Sequence, residues 1–598
     1  MKSQHYFQVN LGGMIEILSN NLYSEKKVFI RELLQNATDA IRMRELEEEG
    51  FRGKVTLDLI PGSEEQAPVI MMEDNGIGLN EDEIHRFLAS IGSSIKRESA
   101  VTFERKDFIG QFGIGLLSCF MVTDEIVVIT RSARGGPGFE WIDKADGSYD
   151  IRQLDSDDIR PGTKVYLKAL KKPEILEEFF SSKEDLKKLV RHYGDLLPYP
   201  ILLEGDDMPI NRMAVPFGPD SDRESLLEFG REVYEVDFLD AIPLQSSDGE
   251  TTGVAFVLPY QQRFSAKQAH RVYLRRMLVA DKAQDILPGW AVFVKCIINS
   301  NTLRPTASRE SFYEDEALRE TRESLGLQIE AYLTKIADKS PHRMKELLSV
   351  HGDSIKLLAV ENDSFFKVVI DALHFQTNFG DLTIPEYLTF DDSIRHMVNL
   401  DTFRQVAPIA AAHKKPLINS AYTYDARLLN KLKQLYPDRQ VQQVSAGDFL
   451  QDFDTLSPEE EVICEGLVHD GNEALKAFNC KLTVRNYDPE ELYVVYYAND
   501  MMDLFRDSSH NVDMGGIWGH IMSDFAEEAE QRADAHLVLN YKNALVQKLA
   551  AFTDSARRKH FVSILYVQAL MQGHFPLQKA ELEIMEKGLS DLLEIAMS

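Results

Sequence analysis

Residues 31–40 read RELLQNATDA. On a helix, Glu32, Asn36 and Asp39 fall at i, i+4 and i+7 and form one polar stripe. Leu33, Leu34, Ala37 and Ile41 make the apolar face. An acid, an amide and a second acid in one row are a polar site carried on a helix, and the stretches that follow give that site its chemistry.

Two glycine-rich stretches come next, MEDNGIGL at 72–79 and FIGQFGIGLLS at 108–118. Glycines 76, 78, 110, 113 and 115 can take positive φ and let backbone come close to a ligand. Successive N–H groups in such loops form an anion nest, which a following helix N-terminus reinforces. The plainer reading of either stretch alone is a tight turn. Asp74 shifts the balance, because an ionised carboxylate only accepts hydrogen bonds. It suits the exocyclic amino group of adenine and would repel phosphate, so Asp74 fits the base end of a nucleotide and the glycines at 110–115 fit its phosphate end. Asn36 then offers an amide oxygen to Mg2+, a hard cation that prefers oxygen. Glu32, one turn earlier, is placed to orient or deprotonate a water attacking the γ-phosphate.

The 598-residue chain is long enough for three or four domains at about 150 residues each. Its 96 aspartates and glutamates against 66 lysines and arginines give a net charge of −30. That excess leaves no footprint for nucleic acid and suits protein or small-molecule partners. None of the four cysteines stands in a C-x-x-C pair or a zinc-site cluster, which fits free thiols in a reducing compartment. No signal peptide or membrane-length apolar run appears, so a cytoplasmic protein with no membrane partner is expected.

Strands are expected at KVTLDLI, PVIMMED, EIVVITR and GTKVYLKAL, with helices over 25–49 and 80–91 between them. The polar stretch from Lys171 to Pro200 reads as a junction into a second domain. Beyond it, TTGVAFVLP and HRVYLRRMLVA read as strands and 310–338 as a long helix. In the last helix, Leu582, Met585, Leu589, Leu592 and Ala596 repeat at spacings of three and four, a narrow seam for partner helices. The broadly apolar FVSILYVQALMQ before it is expected to supply the other half of that surface.

RELLQNATDA, DNGIGL, GQFGIG and GTKVYL, in this order, resemble the Bergerat-fold ATPases. The whole chain resembles the heat-shock protein 90 family, most closely its bacterial branch, through FIRELLQNATDA, IGQFGIG, the stretch from VYLRRMLVA to SRE, LTIPEYL and LYVQALMQGHFPL. The resemblance implies an α/β chain of three parts: a Bergerat-fold (GHKL) ATPase α/β sandwich at 1–173, an α/β middle domain at 174–455 and an α+β dimerisation domain at 456–598. It implies an ATP-dependent chaperone that works as a homodimer joined through its C-terminal helices, with ATP and Mg2+ as cofactors. Unfolded or partly folded clients, and other chaperones, are the partners it implies.

Carried over position by position, Glu32 resembles the family's catalytic base and Asn36 its magnesium-associated amide. Asp74 resembles the adenine reader, with Gly78, Leu79 and Thr163 beside the base, and Asp39, on the helix of Glu32 and Asn36, resembles a nucleotide-binding position. Gly110, Gln111, Phe112, Gly113, Ile114 and Gly115 resemble the phosphate loop, and 89–112 the lid. Arg309 resembles the middle-domain arginine that reaches the γ-phosphate. Three positions depart from the family pattern: Phe87 replaces an asparagine, Ser93 a lysine and Tyr313 a glutamine. A DNA-acting Bergerat ATPase is the alternative, but it calls for a basic channel and a C-terminal endonuclease metal motif. A nucleotide-gated scaffold without catalysis is the third reading.

Overall fold

The computed structural model describes residues 26–62, 67–88, 115–155, 158–168, 182–263, 268–306, 311–422, 424–450, 453–498 and 535–597. It is a mixed α/β chain in two compact units, 1–354 and 355–598.

Unit one begins with helix α1, Val28–Glu47, whose Phe29, Ile30, Leu33, Leu34, Ala37 and Ile41 are buried. Strands β1 (Val55–Ile60) and β2 (Val69–Asp74) pair antiparallel. A short helix α2, Glu81–Phe87, is closed by a capping box between Asn80 and Glu83. After a 3-10 turn at Gly115–Met121 come β3 (Glu125–Arg131), β4 (Gly138–Lys144), β5 (Tyr149–Leu154) and β6 (Gly162–Lys168).

Helix α3, Lys183–Gly194, follows, and the Lys171–Pro200 stretch is therefore not a bare polar junction. Leu186, Leu189, Val190 and Tyr193 lie at helical spacing and are buried in the same core cluster as α1. Lys183, Glu184 and Lys188, among the charged residues that make the stretch look like a linker, are exposed on α3. Strand β7, Ile201–Leu203, then pairs parallel with β1. The first sheet thus has the order β5-β4-β3-β6-β2-β1-β7 and reaches past residue 173.

A second sheet is built from β8 (Asp240–Gln245), β9 (Thr251–Val257), β10 (His270–Leu274), β11 (Met277–Ala283) and β12 (Val294–Ser300), in the order β11-β10-β12-β9-β8. The expected single strand HRVYLRRMLVA is in fact a hairpin that turns at Arg275–Arg276, with Leu274 opposite Met277. Helix α4, Glu316–Lys339, packs on β8, and Tyr332 donates a 2.9 Å hydrogen bond to the buried Asp240 carboxylate.

Unit two holds a five-stranded sheet built around Ser393–Met397 and a three-stranded sheet of Cys480–Arg485, Val494–Ala498 and Ala535–Asn540. Helices α5 (Pro458–Leu475), α6 (Ser555–Gln572) and α7 (Lys579–Met597) share a core with that smaller sheet.

Helix α6 does not form half of an outer surface. Its Val562, Leu565, Tyr566, Val567, Ala569 and Leu570 are buried against its own domain. Breadth of apolar surface marks a helix covered on several sides by its own core. Helix α7 turns Ile584 and Gly588 toward α6, where a Cβ on Gly588 would sit 2.8 Å from Ile564. Leu582 and Leu589 of the seam stay 41% and 60% exposed, and Leu592 and Ala596 lie outside the described side chains.

Candidate active site

The register of three strands assembles the base end of the site. Asp74, the last residue of β2, pairs with Thr163 on β6, and Thr163 pairs with Thr130 on β3. The three side chains therefore stand in one row across the sheet. The Thr130 hydroxyl donates to the Gly162 carbonyl at 3.0 Å and accepts from the Leu79 N–H at 2.9 Å, and it lies 3.1 Å from the Thr163 hydroxyl. It pins the Gly78–Leu79 turn to the sheet. Thr130 is a site residue that the sequence motifs do not mark; its one signal is a threonine on the face of β3 that meets Thr163.

Asp74 is buried, and burial pushes its carboxyl up to about 7. The Gly76 N–H, 2.8 Å from Oδ1, and a backbone hydrogen bond from Thr163 oppose that rise without cancelling it. A carboxylate held this far from water gains from any ligand donor it meets, as an adenine amino group would be.

The described glycines here serve protein contacts. A Cβ on Gly76 would lie 2.5 Å from the Ala40 carbonyl carbon, so this residue brings the loop onto α1, where the Ile77 N–H donates to the Ala40 carbonyl at 3.0 Å. Gly78 sits at φ 62°, with its Cβ position 1.9 Å from the Arg131 carbonyl oxygen. The missing Cβ atoms of Gly76 and Gly78 thus bring the turn close to α1 and β3. Gly78→Ala combines left-handed strain with a backbone clash and is expected to destabilise unit one by about 2–4 kcal/mol. Urea unfolding measures it, and a midpoint equal to wild type would contradict this packing.

At the other end, Glu32 is buried on α1 at 2% exposure. Arg31 Nε lies 3.3 Å from its Oε1, and Arg31 Nη1 donates to the Val279 carbonyl on β11 at 3.2 Å. The Oε2 oxygen faces Gly115, where a Cβ would sit 2.7 Å away, so a larger residue at the start of the 3-10 turn would displace the carboxylate. Cys119 is buried nearby, and burial with the Glu32 charge pushes its thiol well above the ordinary range. Arg31 is a positioning residue that the sequence does not mark, because a lone arginine beside a glutamate looks like any surface pair.

Asn36 is exposed one turn beyond Glu32, and its amide makes no side-chain hydrogen bond among the described residues. A hard oxygen so placed fits a magnesium-associated role. Asp39 is buried further along α1 and lines a separate polar cavity with Thr38 and Arg42. Phe87 packs half-buried against the core, so no amide is offered there. Tyr313 is 48% exposed beside Arg304. Ser93, Gly110, Gln111, Phe112, Gly113, Ile114 and Arg309 lie outside the described residues, as does the expected lid over 89–112.

Two family descriptions match the chain in sequence order. "Histidine kinase-, DNA gyrase B-, and HSP90-like ATPase" covers residues 23–172, which hold α1, Asp74 and Thr163. "Hsp90 protein" covers residues 256–435. By these two matches the chain is similar to the heat-shock protein 90 family of ATP-dependent chaperones.

Relatives of that family align along the chain. The Chaperone protein HtpG of Wolinella succinogenes is 23% identical over 95% of this chain and 96% of its own length. That of Myxococcus xanthus is 28% identical over 59% of each chain. The mitochondrial TNF receptor-associated protein 1 homolog of Dictyostelium discoideum is 26% identical over 62% of this chain and 54% of its own. Against the last two, the match spans less than two thirds of the relative. Among the described residues no helix is long and apolar enough to cross a membrane.

Proposed function

We propose that this chain is an ATP-driven chaperone in which a single nucleotide site runs from Asp74 to Glu32. The observation that carries the reading is the Asp74–Thr163–Thr130 row at one end, with Glu32 held by Arg31 against Gly115 at the other. Asp74 in its ionised form accepts from the adenine amino group, and Thr163 and the Gly78–Leu79 turn flank the base. Gly110–Gly115 cradle the phosphates. Asn36 would hold Mg2+, which would supply charge neutralisation for the phosphates. Glu32 takes a proton from the attacking water, while Arg31 fixes the orientation of its carboxylate. Arg309 supports the γ-phosphate when the middle domain docks.

The same reading divides the chain at 173/174 and 455/456, keeps it in the cytoplasm and makes it a homodimer acting on unfolded or partly folded clients. Calorimetric titration with Mg-ATP tests the site: one nucleotide per chain is expected, and no binding would contradict the reading.

Dimerisation is proposed to use the exposed side of α7. Leu582 and Leu589 lie two turns apart on the face turned away from α6, and glutamates there would place charge inside a narrow apolar seam. The Leu582→Glu/Leu589→Glu double variant is expected to run as a monomer in light scattering and to keep its fold, because neither side chain belongs to the core. A dimeric double variant would move the seam elsewhere. Two N-terminal domains tethered this way meet at high effective concentration, which makes lid closure mutual.

A further inference from the structure

Asp143, near the end of β4, is a buried carboxylate outside the nucleotide row, 8% exposed. Strand register sets Ile126 of β3 on one side of it and Tyr149 of β5 on the other, with Trp141 two residues back on the same face. Ile126 brings no charge. The Tyr149 ring lies 6.3 Å from that of Trp141, and its hydroxyl meets His85 Nδ1 of α2 at 3.4 Å. Asp124, just ahead of β3, meets the β4–β5 turn through its carbonyl, which accepts from the Ala145 N–H at 3.2 Å.

No cation answers Asp143. Burial pushes its carboxyl up to about 7, the Lys144 N–H only partly opposes that rise, and Asp146 adds repulsion from the turn. Asp146 is itself held in its ionised form, because the Ser148 N–H and hydroxyl donate to it at 2.9 and 2.6 Å. The Trp141 Nε1–H, also buried, has no acceptor among the described residues. Two unmet polar groups thus lie beside a strand with little to hold it: β5 is the edge of its sheet and buries no residue.

We propose that the β4–β5 hairpin is a pH-sensitive latch: it stays closed while Asp143 is protonated, and ionisation of Asp143 lets β5 peel from β4. Peeling gives water to the carboxylate and to the Trp141 N–H, and it uncovers the backbone edge of β4 for pairing. The closed hairpin holds the proton more tightly than the open one. The stability it draws from Asp143 is therefore fully present below pH 3.8 and is lost as pH rises through about 7. The latch does not rest on the ATPase reading.

Hydrogen exchange on the full chain tests it, read as the ratio of wild-type to Asp143→Asn exchange rates at each pH. The ratio cancels the intrinsic pH dependence of exchange and the titration of Asp74, which both chains carry. For Tyr149–Leu154 it is expected to rise about tenfold between pH 6 and pH 8. For Thr251–Val257, in the second sheet, it is expected to stay constant. Asp143→Leu, which removes the charge by another route, is expected to give the same rise when it serves as the reference. A ratio that stays constant at Tyr149–Leu154 with either reference, or that rises equally at both strands, would overturn the proposal.

Discussion

Replacing Glu32 with alanine is expected to leave ATP bound and almost unhydrolysed. A positioned general base contributes about 100-fold to 10,000-fold to a rate, and Glu32 faces Gly115, the last residue of the expected phosphate loop. The variant also takes away the carboxylate that lies 3.3 Å from the buried Arg31 guanidinium. Breaking a buried ion pair costs about 3–5 kcal/mol, so Glu32→Ala is expected to melt earlier as well. Glu32→Gln separates the two effects, since the amide keeps the shape and an acceptor for Arg31 but cannot take a proton. Single-turnover phosphate release together with calorimetry checks both variants. Hydrolysis at the wild-type rate in Glu32→Gln would remove Glu32 from the catalytic role.

Asp74→Asn is expected to do the reverse of an ordinary site mutation: it abolishes ATP binding and stabilises the empty protein. The folded carboxyl is raised from 3.8 to about 7, so the folded state holds the proton more tightly than the unfolded chain does. The associated stability is fully present below pH 3.8 and is lost as pH rises through about 7. Above that, ionised Asp74 costs the fold about 4 kcal/mol, since a tenfold change in proton affinity is worth roughly 1.4 kcal/mol. Asparagine removes the charge and retains an oxygen for the Gly76 N–H. The melting-temperature gap between variant and wild type should therefore be small at pH 4 and widest at pH 8. A gap that does not change with pH would contradict the buried-carboxylate reading. On the proposed reading, an adenine amino group donating to Asp74 offsets part of that lost hydration.

The nucleotide helix and the central strands are legible in the sequence for a simple reason: their patterns are unmixed. EIVVITR matches β3 end to end, and RELLQNATDA lies wholly inside α1. Strand β5 is harder to see, because it has no buried residue and so no alternation of apolar and polar positions. The β10–β11 hairpin is hidden because Arg-Arg carries no turn signal, and the clamp that enforces the turn comes from Asn299 and Ser300 on another strand. Thr130 and Arg31 escape notice for the same kind of reason. Their partners, Gly162 and Val279, are set by sheet register and by packing between sheets, which no local pattern encodes. The packing role of the glycines of DNGIG is not legible in sequence, because α1 and β3, for which their missing Cβ atoms make room, are brought to the turn by the fold.

The central claim, that this chain hydrolyses ATP at the site between Asp74 and Glu32, is tested most directly by steady-state phosphate release from the purified full-length protein in Mg-ATP. Glu32→Gln, run in parallel, serves as the blank. The expected result is saturable release well above that blank, abolished by Asp74→Asn. Release by the wild type no faster than by Glu32→Gln would contradict it, and would leave a protein that binds nucleotide without turning it over.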